Sequence, residues 1–264
     1  MSKITKVFKP GHKALVGYIT TGYPDIETTI KAAAVLAKNG CDILELGIPF
    51  SDPMADGVMI QKASHAALMQ GILPQTCLET AKTISEITDI PLVFMTYYNP
   101  VFHYGLEDFC HACVHAGVSG LIVPDLPPEE GRELETISRK NNIDLIYLLA
   151  PTSTEARIKT VAERARGFIY MVSLTGVTGA RKALSPELGG FVKRVRAKTN
   201  KPLCVGFGIS TPEQAVQAAQ NADGVIIGSK LIQLMEEDKT LSKLKTFTAG
   251  VRKALDAMKN TGSI

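Results

Sequence analysis

LCVGFG (Leu203 to Gly208), STPEQAVQAAQ (Ser210 to Gln220) and GVIIG (Gly224 to Gly228) follow one another almost without a gap. The outer two are short apolar runs bounded by glycine, too brief for buried helices, and the middle one repeats its apolar residues at helical spacing. Strand, helix and strand in succession make the βαβ unit, the usual connection between parallel neighbours, which a tight turn cannot join.

The same alternation extends back to the start of the chain. Further strand candidates are ALVGYIT (Ala14 to Thr20), DILELG (Asp42 to Gly47), LVFMTYY (Leu92 to Tyr98), GLIVP (Gly120 to Pro124), DLIYLLA (Asp144 to Ala150) and GFIYMVS (Gly167 to Ser173). Each is followed by a helical pattern, such as IETTIKAAAVLAKNG (Ile26 to Gly40) after the first. Eight βα units within 264 residues are the length and order of an α/β protein of the (β/α)₈ TIM-barrel class. An open doubly wound sheet would carry a glycine-rich nucleotide turn after its first strand, and TTGYPD (Thr20 to Asp25) has none. Two helices lie outside the eight-unit count: PQTCLETAKTISEI (Pro74 to Ile87), and TLSKLKTFTAGVRKALDAM (Thr240 to Met258) before a frayed KNTGSI tail. With no low-complexity linker, residues 1–264 read as a single domain.

Composition narrows the function. Lys and Arg number 29 against 26 Asp and Glu, spread along the chain, which argues against a nucleic-acid or membrane-surface footprint. The first residues, MSKITKVFKPGHKA, read as neither signal nor anchor, and no run approaches a membrane span. Five scattered cysteines do not form a disulfide framework, so the expected compartment is the cytoplasm.

Barrel enzymes build their sites at the carboxyl ends of the strands. Glu45 lies within the second strand, and alternation places Ile43, Glu45 and Gly47 on the barrel axis if Leu44 and Leu46 face the helices. A carboxyl there is desolvated and held protonated, which suits a general acid; the bland alternative is a core glutamate paired with a base. The loop after it, GIPFSDPMADG (Gly47 to Gly57), carries Asp52, read as a turn acid bonding nearby N–H groups, and Asp56, which could be catalyst or helix N-cap. Two acids in unlike surroundings are an acid–base pair candidate.

GFGIST (Gly206 to Thr211) and IGSK (Ile227 to Lys230) leave backbone N–H groups open to an anion, where barrels commonly hold phosphate. Their plain alternative is turn plus capping box, with Ser210 and Glu213 suitably spaced. LTGVTGAR (Leu174 to Arg181) is long enough to act as a lid. CHACVH (Cys110 to His115) imitates zinc spacing inside a helical run and lacks a second ligand pair, so no metal is expected.

LELGIPFSDPMADG (Leu44 to Gly57) resembles, without a gap, the signature of the tryptophan synthase alpha subunit. YYNP (Tyr97 to Pro100), VPDLPPEE (Val123 to Glu130), SLTGVTGAR (Ser173 to Arg181), GFGIS and IGS follow in that family's order. The resemblance implies retro-aldol cleavage of indole-3-glycerol phosphate to indole and glyceraldehyde 3-phosphate. Glu45 would protonate indole C3 and take the glycerol hydroxyl proton, and Asp56 would accept the indole N–H. Tyr18, Tyr97, Asp125, Tyr170 and Phe207 would line the pocket, and Thr178 would reach the loop aspartate on closure. Gly179, Gly208, Gly228 and Ser229 would hold the phosphate on backbone. Tyr18 stands where phenylalanine is common and Ala66 where arginine is. The resemblance also implies an allosteric beta-subunit partner, in an alpha2beta2 heterotetramer, which carries pyridoxal phosphate; no cofactor is expected in this chain. The alternatives are a related phosphosugar barrel enzyme, such as indole-glycerol phosphate synthase or a phosphoribosyl isomerase, and a non-catalytic indolyl-binding subunit.

Overall fold

A computed structural model describes residues 1–172, 186–206 and 208–258. Its strands are β1 (Ala14–Thr20), β2 (Ile43–Gly47), β3 (Leu92–Met95), β4 (Val118–Ile122), β5 (Asp144–Ile146), β6 (Leu148–Leu149), β7 (Ile169–Val172), β8 (Leu203–Gly206) and β9 (Gly224–Ile227). All pairs are parallel and run in the order β5-β4-β3-β2-β1-β9-β8-β7-β6. The expected fifth strand is therefore present in two pieces, β5 against β4 and β6 against β7. Between them the Tyr147 carbonyl accepts from the Tyr170 N–H at 3.0 Å, so the barrel closes through one interrupted strand. The eight expected units are thus realised with nine strands among the described residues.

Strand alternation divides the apolar residues into two layers. Val16, Ile43, Val93, Ile122, Ile146, Cys204 and Ile226 meet inside the barrel. Leu15, Ile19, Leu44, Leu46, Phe94 and Leu121 face outward into the larger core beneath the helices. β1 is buried at all seven positions, as a parallel strand covered on both faces should be. The amino-terminal face is plugged by Ile4, which packs within the inner layer, while the Ser2 hydroxyl donates to buried Asp144.

The helices start where their sequences supply caps. Asp25 accepts the Thr28 N–H at 2.6 Å to open Ile26–Lys38, and Thr154 and Thr211 do the same for Glu155–Arg164 and Pro212–Ala219. The Ser210–Glu213 capping box is corrected: Thr211 accepts the Gln214 N–H, and Gln214 accepts from the Ser210 N–H and hydroxyl. The extra helix Pro74–Ile87 has the expected bounds and the closing helix spans Ser242–Ala257. β3 ends at Met95 rather than Tyr98, because Tyr98 begins a further helix, Tyr98–Tyr104. The KNTGSI tail lies outside the described residues. Among the described residues no helix is long and apolar enough to cross a membrane.

Candidate active site

β1 and β2 run side by side with Tyr18 registered opposite Glu45. Glu45 is fully buried, and neither carboxyl oxygen has a hydrogen-bond partner. Among the described residues no base pairs with it, which speaks against a neutralised core glutamate. Removal from water, followed by the nearby Asp56 charge, pushes its pKa up to about 8.

Asp56 follows on the loop after β2 and is half-buried, with one oxygen, Oδ1, buried and without partner. Burial lifts its pKa to about 6, and hydrogen bonding to Tyr97 opposes the rise. The N-cap alternative is corrected: the following helix is Val58–Met69, its N-cap is Gly57, and no side chain caps it. Asp52 is corrected as well, since its exposed carboxylate takes the Ser51 hydroxyl at 2.5 Å instead of a backbone N–H.

The loop is held at its root from β3. The Tyr97 hydroxyl accepts the Ala55 N–H at 2.9 Å, one residue before Asp56, and its ring stacks on Phe50 with centroids 4.9 Å apart. Asp125 in turn accepts the Tyr98 N–H at 2.9 Å and 3.1 Å through its two oxygens. Tyr97 and Asp125 thus brace the loop and the Tyr98–Tyr104 helix.

That cavity, about 660 Å³, opens at the carboxyl ends of the strands. Tyr18, Asp56 and Tyr170 wall one part of it, and Gly208, Gly228 and Ser229 another. Tyr18 is buried and Tyr170 partly so; loss of water around both hydroxyls raises their pKa well above the ordinary value, and the charges of Glu45 and Asp56 add to the effect. Thr178, Gly179 and Phe207, and the whole Leu174 to Arg181 segment, lie outside the described residues.

Two glycines that sequence reading left unassigned seat these rings. A Cβ at Gly47 would stand 2.1 Å from the Tyr18 hydroxyl, and one at Gly206 would stand 2.5 Å from the Tyr170 ring. The signal was present in the inward alternation of β2, where a glycine follows Glu45 by two positions. Gly47→Ala is accordingly expected to lower stability by about 1–3 kcal/mol, the usual cost of overpacking. Thermal melts against Gly190→Ala, a helical position with nothing within 4 Å of the added methyl, would expose an ordinary glycine effect if both variants shifted alike.

The zinc-like segment folds as the helix Leu106–His115, with Cys110 and Cys113 buried and His111 and His115 exposed. The two residue types therefore point to different sides. Among the described residues no three His, Cys, Asp or Glu side chains gather as metal ligands.

Residues 4–260 match the family model described as tryptophan synthase alpha chain. The tryptophan synthase alpha chain of Dehalococcoides mccartyi is 54% identical over 256 residues, covering 97% of this chain and all of the relative. That of Geotalea uraniireducens is 47% identical over 265 residues, covering 98% and 99%. Among solved structures, a tryptophan synthase from Mycobacterium tuberculosis superposes with a TM-score of 0.91 at 39% identity, covering 97% of this chain and 98% of that one. The tryptophan synthase subunit alpha of Legionella pneumophila gives 0.90 at 38%, covering 97% and 99%.

Proposed function

The chain belongs to the tryptophan synthase alpha chain family, and from that premise we propose that Glu45 and Asp56 carry out its lyase reaction in tryptophan biosynthesis. That reaction is the cleavage of indole-3-glycerol phosphate into indole and glyceraldehyde 3-phosphate. The observation that carries the assignment is a pair of carboxyls, Glu45 fully buried and Asp56 half-buried, with no neutralising cation among the described residues and pKa values of about 8 and about 6. At neutral pH the first is mostly protonated and the second mostly ionised, which divides acid from anion between them.

The steps follow from those states. Glu45 gives its proton to indole C3, leaving the ring cationic, and ionised Asp56 accepts the indole N–H and stabilises that charge. The bond from C3 to the glycerol chain then breaks, its electron pair restoring the aromatic ring. The carbon left behind becomes an aldehyde as its hydroxyl proton passes to the Glu45 carboxylate. Glu45 ends protonated, ready for another turnover. Tyr18 and Tyr170 wall the indole, Tyr97 positions the Asp56 loop, and Asp125 holds the adjoining helix start. Backbone at Gly208, Gly228 and Ser229 holds the phosphate together with Gly179, and Thr178 reaches the loop aspartate on closure; Gly179 and Thr178 belong to the segment outside the described residues.

The test is release of indole from indole-3-glycerol phosphate, followed by absorbance. Ser229→Asp probes the phosphate end: an acid suits a helix start, so the fold should persist while the anion is repelled. Gly228→Asp is less clean, because its Cβ would press Tyr18 at 3.2 Å. For Ser229→Asp the dissociation constant of indole-3-propanol phosphate is expected to rise at least about 10-fold with that of indole unchanged, the scale of one lost charge-assisted contact. Equal weakening of both ligands would contradict the phosphate assignment.

The chain reads as one domain, because a contiguous outer core runs around the barrel from Leu15 to Leu255. Its family works with a beta subunit. The expected assembly is an alpha2beta2 heterotetramer in the cytoplasm, with pyridoxal phosphate in the beta subunit and no cofactor here.

A further inference from the structure

A phosphomonoester carries close to two negative charges at neutral pH, whereas a helix start offers the equivalent of about half a positive one. Backbone at Gly228 and Ser229 therefore leaves much of the ligand's charge uncompensated. Among the described residues of the cavity wall, Lys230 is the one cation. It sits beside Ser229 in the first turn of Ser229–Glu237 and is half-buried. Its Nζ donates to Oε1 of Gln233, also a wall residue, at 3.2 Å.

Among the described residues no carboxylate forms an ion pair with that ammonium. Gln233 passes its own amide on to Glu237 at 2.7 Å, and Glu237 is engaged through its other oxygen by Lys243 at 3.2 Å. Lys62, on the helix packed against this one, is by contrast tied up in an ion pair with Glu236. Of the three ammonium donors of Lys230, one meets a neutral amide and, among the described residues, the other two meet no acceptor, so they can serve a ligand. Oδ1 of Asp56 and both carboxyl oxygens of Glu45, without a hydrogen-bond partner among the described residues, independently mark the cavity as built for a bound polar molecule. Resting on the phosphate assignment above, we propose that Lys230 pairs with the substrate's phosphate and selects phosphorylated indolyl ligands over their neutral alcohols.

The experiment compares indole-3-propanol phosphate with indole-3-propanol on the full chain carrying Lys230→Gln. The dissociation constant of the phosphate is expected to rise roughly 5-fold to 20-fold, below the effect of a fully buried pair because Lys230 keeps contact with water. That of the alcohol should stay within about 2-fold. For indole-3-glycerol phosphate, KM should rise with kcat held, since a uniform binding contact is lost. Lys230→Arg should restore most of the affinity, and the melting temperature should not fall, because a cation at a helix start does not stabilise it. Wild-type phosphate affinity in Lys230→Gln together with weak binding in Ser229→Asp would overturn the role of Lys230 and leave the backbone site standing. Unchanged affinity in both variants would overturn the phosphate site as well. Equal weakening of phosphate and alcohol would make Lys230 structural and overturn the proposal.

Discussion

Glu45→Gln is expected to lower turnover of indole-3-glycerol phosphate by about 10²-fold to 10⁴-fold while the phosphate analogue still binds. The amide keeps the shape of the carboxyl and fills the same fully buried site, but it has no proton to give to C3 and cannot receive one afterwards. The same substitution should change how stability depends on pH. The folded pKa of Glu45 lies near 8, above its ordinary value, so the folded state holds a proton that the unfolded state releases. Stability from this group is present at low pH and is lost as pH rises from about 4.5 to about 8. Between about pH 5 and pH 8 the wild type should therefore lose roughly 3 kcal/mol relative to Glu45→Gln. Comparing two pH values cancels any fixed cost of burying the amide. Denaturant titrations giving parallel pH curves would place the Glu45 pKa near its unfolded value and remove the basis for a protonated acid at neutral pH.

The parts of this barrel legible in the sequence are those where one local rule acts alone. β1 and the Pro74–Ile87 helix have the expected bounds because a continuous apolar run and a proline at the first helical turn mark them without competition. The inward direction of Glu45 follows from alternation, and Ile43 lies in the inner layer with Leu44 and Leu46 in the outer one. Where two rules compete, tertiary context decides. LVFMTYY is rich in β-branched and aromatic residues throughout, but Asp125, distant in sequence, accepts the Tyr98 N–H and helps turn the chain into a helix. DLIYLLA is one run in sequence and two strands in space, because its halves serve opposite neighbours in a closing sheet. Asp56 has the spacing of a cap, yet Gly57 takes that position and frees the carboxyl. Ile4, the plug, belongs to a short segment with no periodicity, so nothing local announces its burial.

Asp56→Asn is expected to reduce turnover by about 10²-fold to 10³-fold, the cost of removing one placed electrostatic group from a charged transition state. Its melting temperature should hardly move, because Asp56 does not cap the Val58–Met69 helix and the asparagine amide oxygen can still accept the hydrogen bond from Tyr97. The pH profile separates its role from that of Glu45. In the wild type, kcat/KM should rise as Asp56 ionises near pH 6 and fall as Glu45 loses its proton near pH 8. Asparagine cannot ionise, so the acid limb should vanish. The Asp56 charge is the second cause of the elevated Glu45 pKa, after burial, and its removal should move the basic limb to lower pH. Loss of helix charge alone would leave the acid limb in place, and a general loosening of the loop would lower activity equally at every pH. A variant whose residual activity keeps both limbs where the wild type has them would show that Asp56 neither holds the indole cation nor faces Glu45 across the mouth.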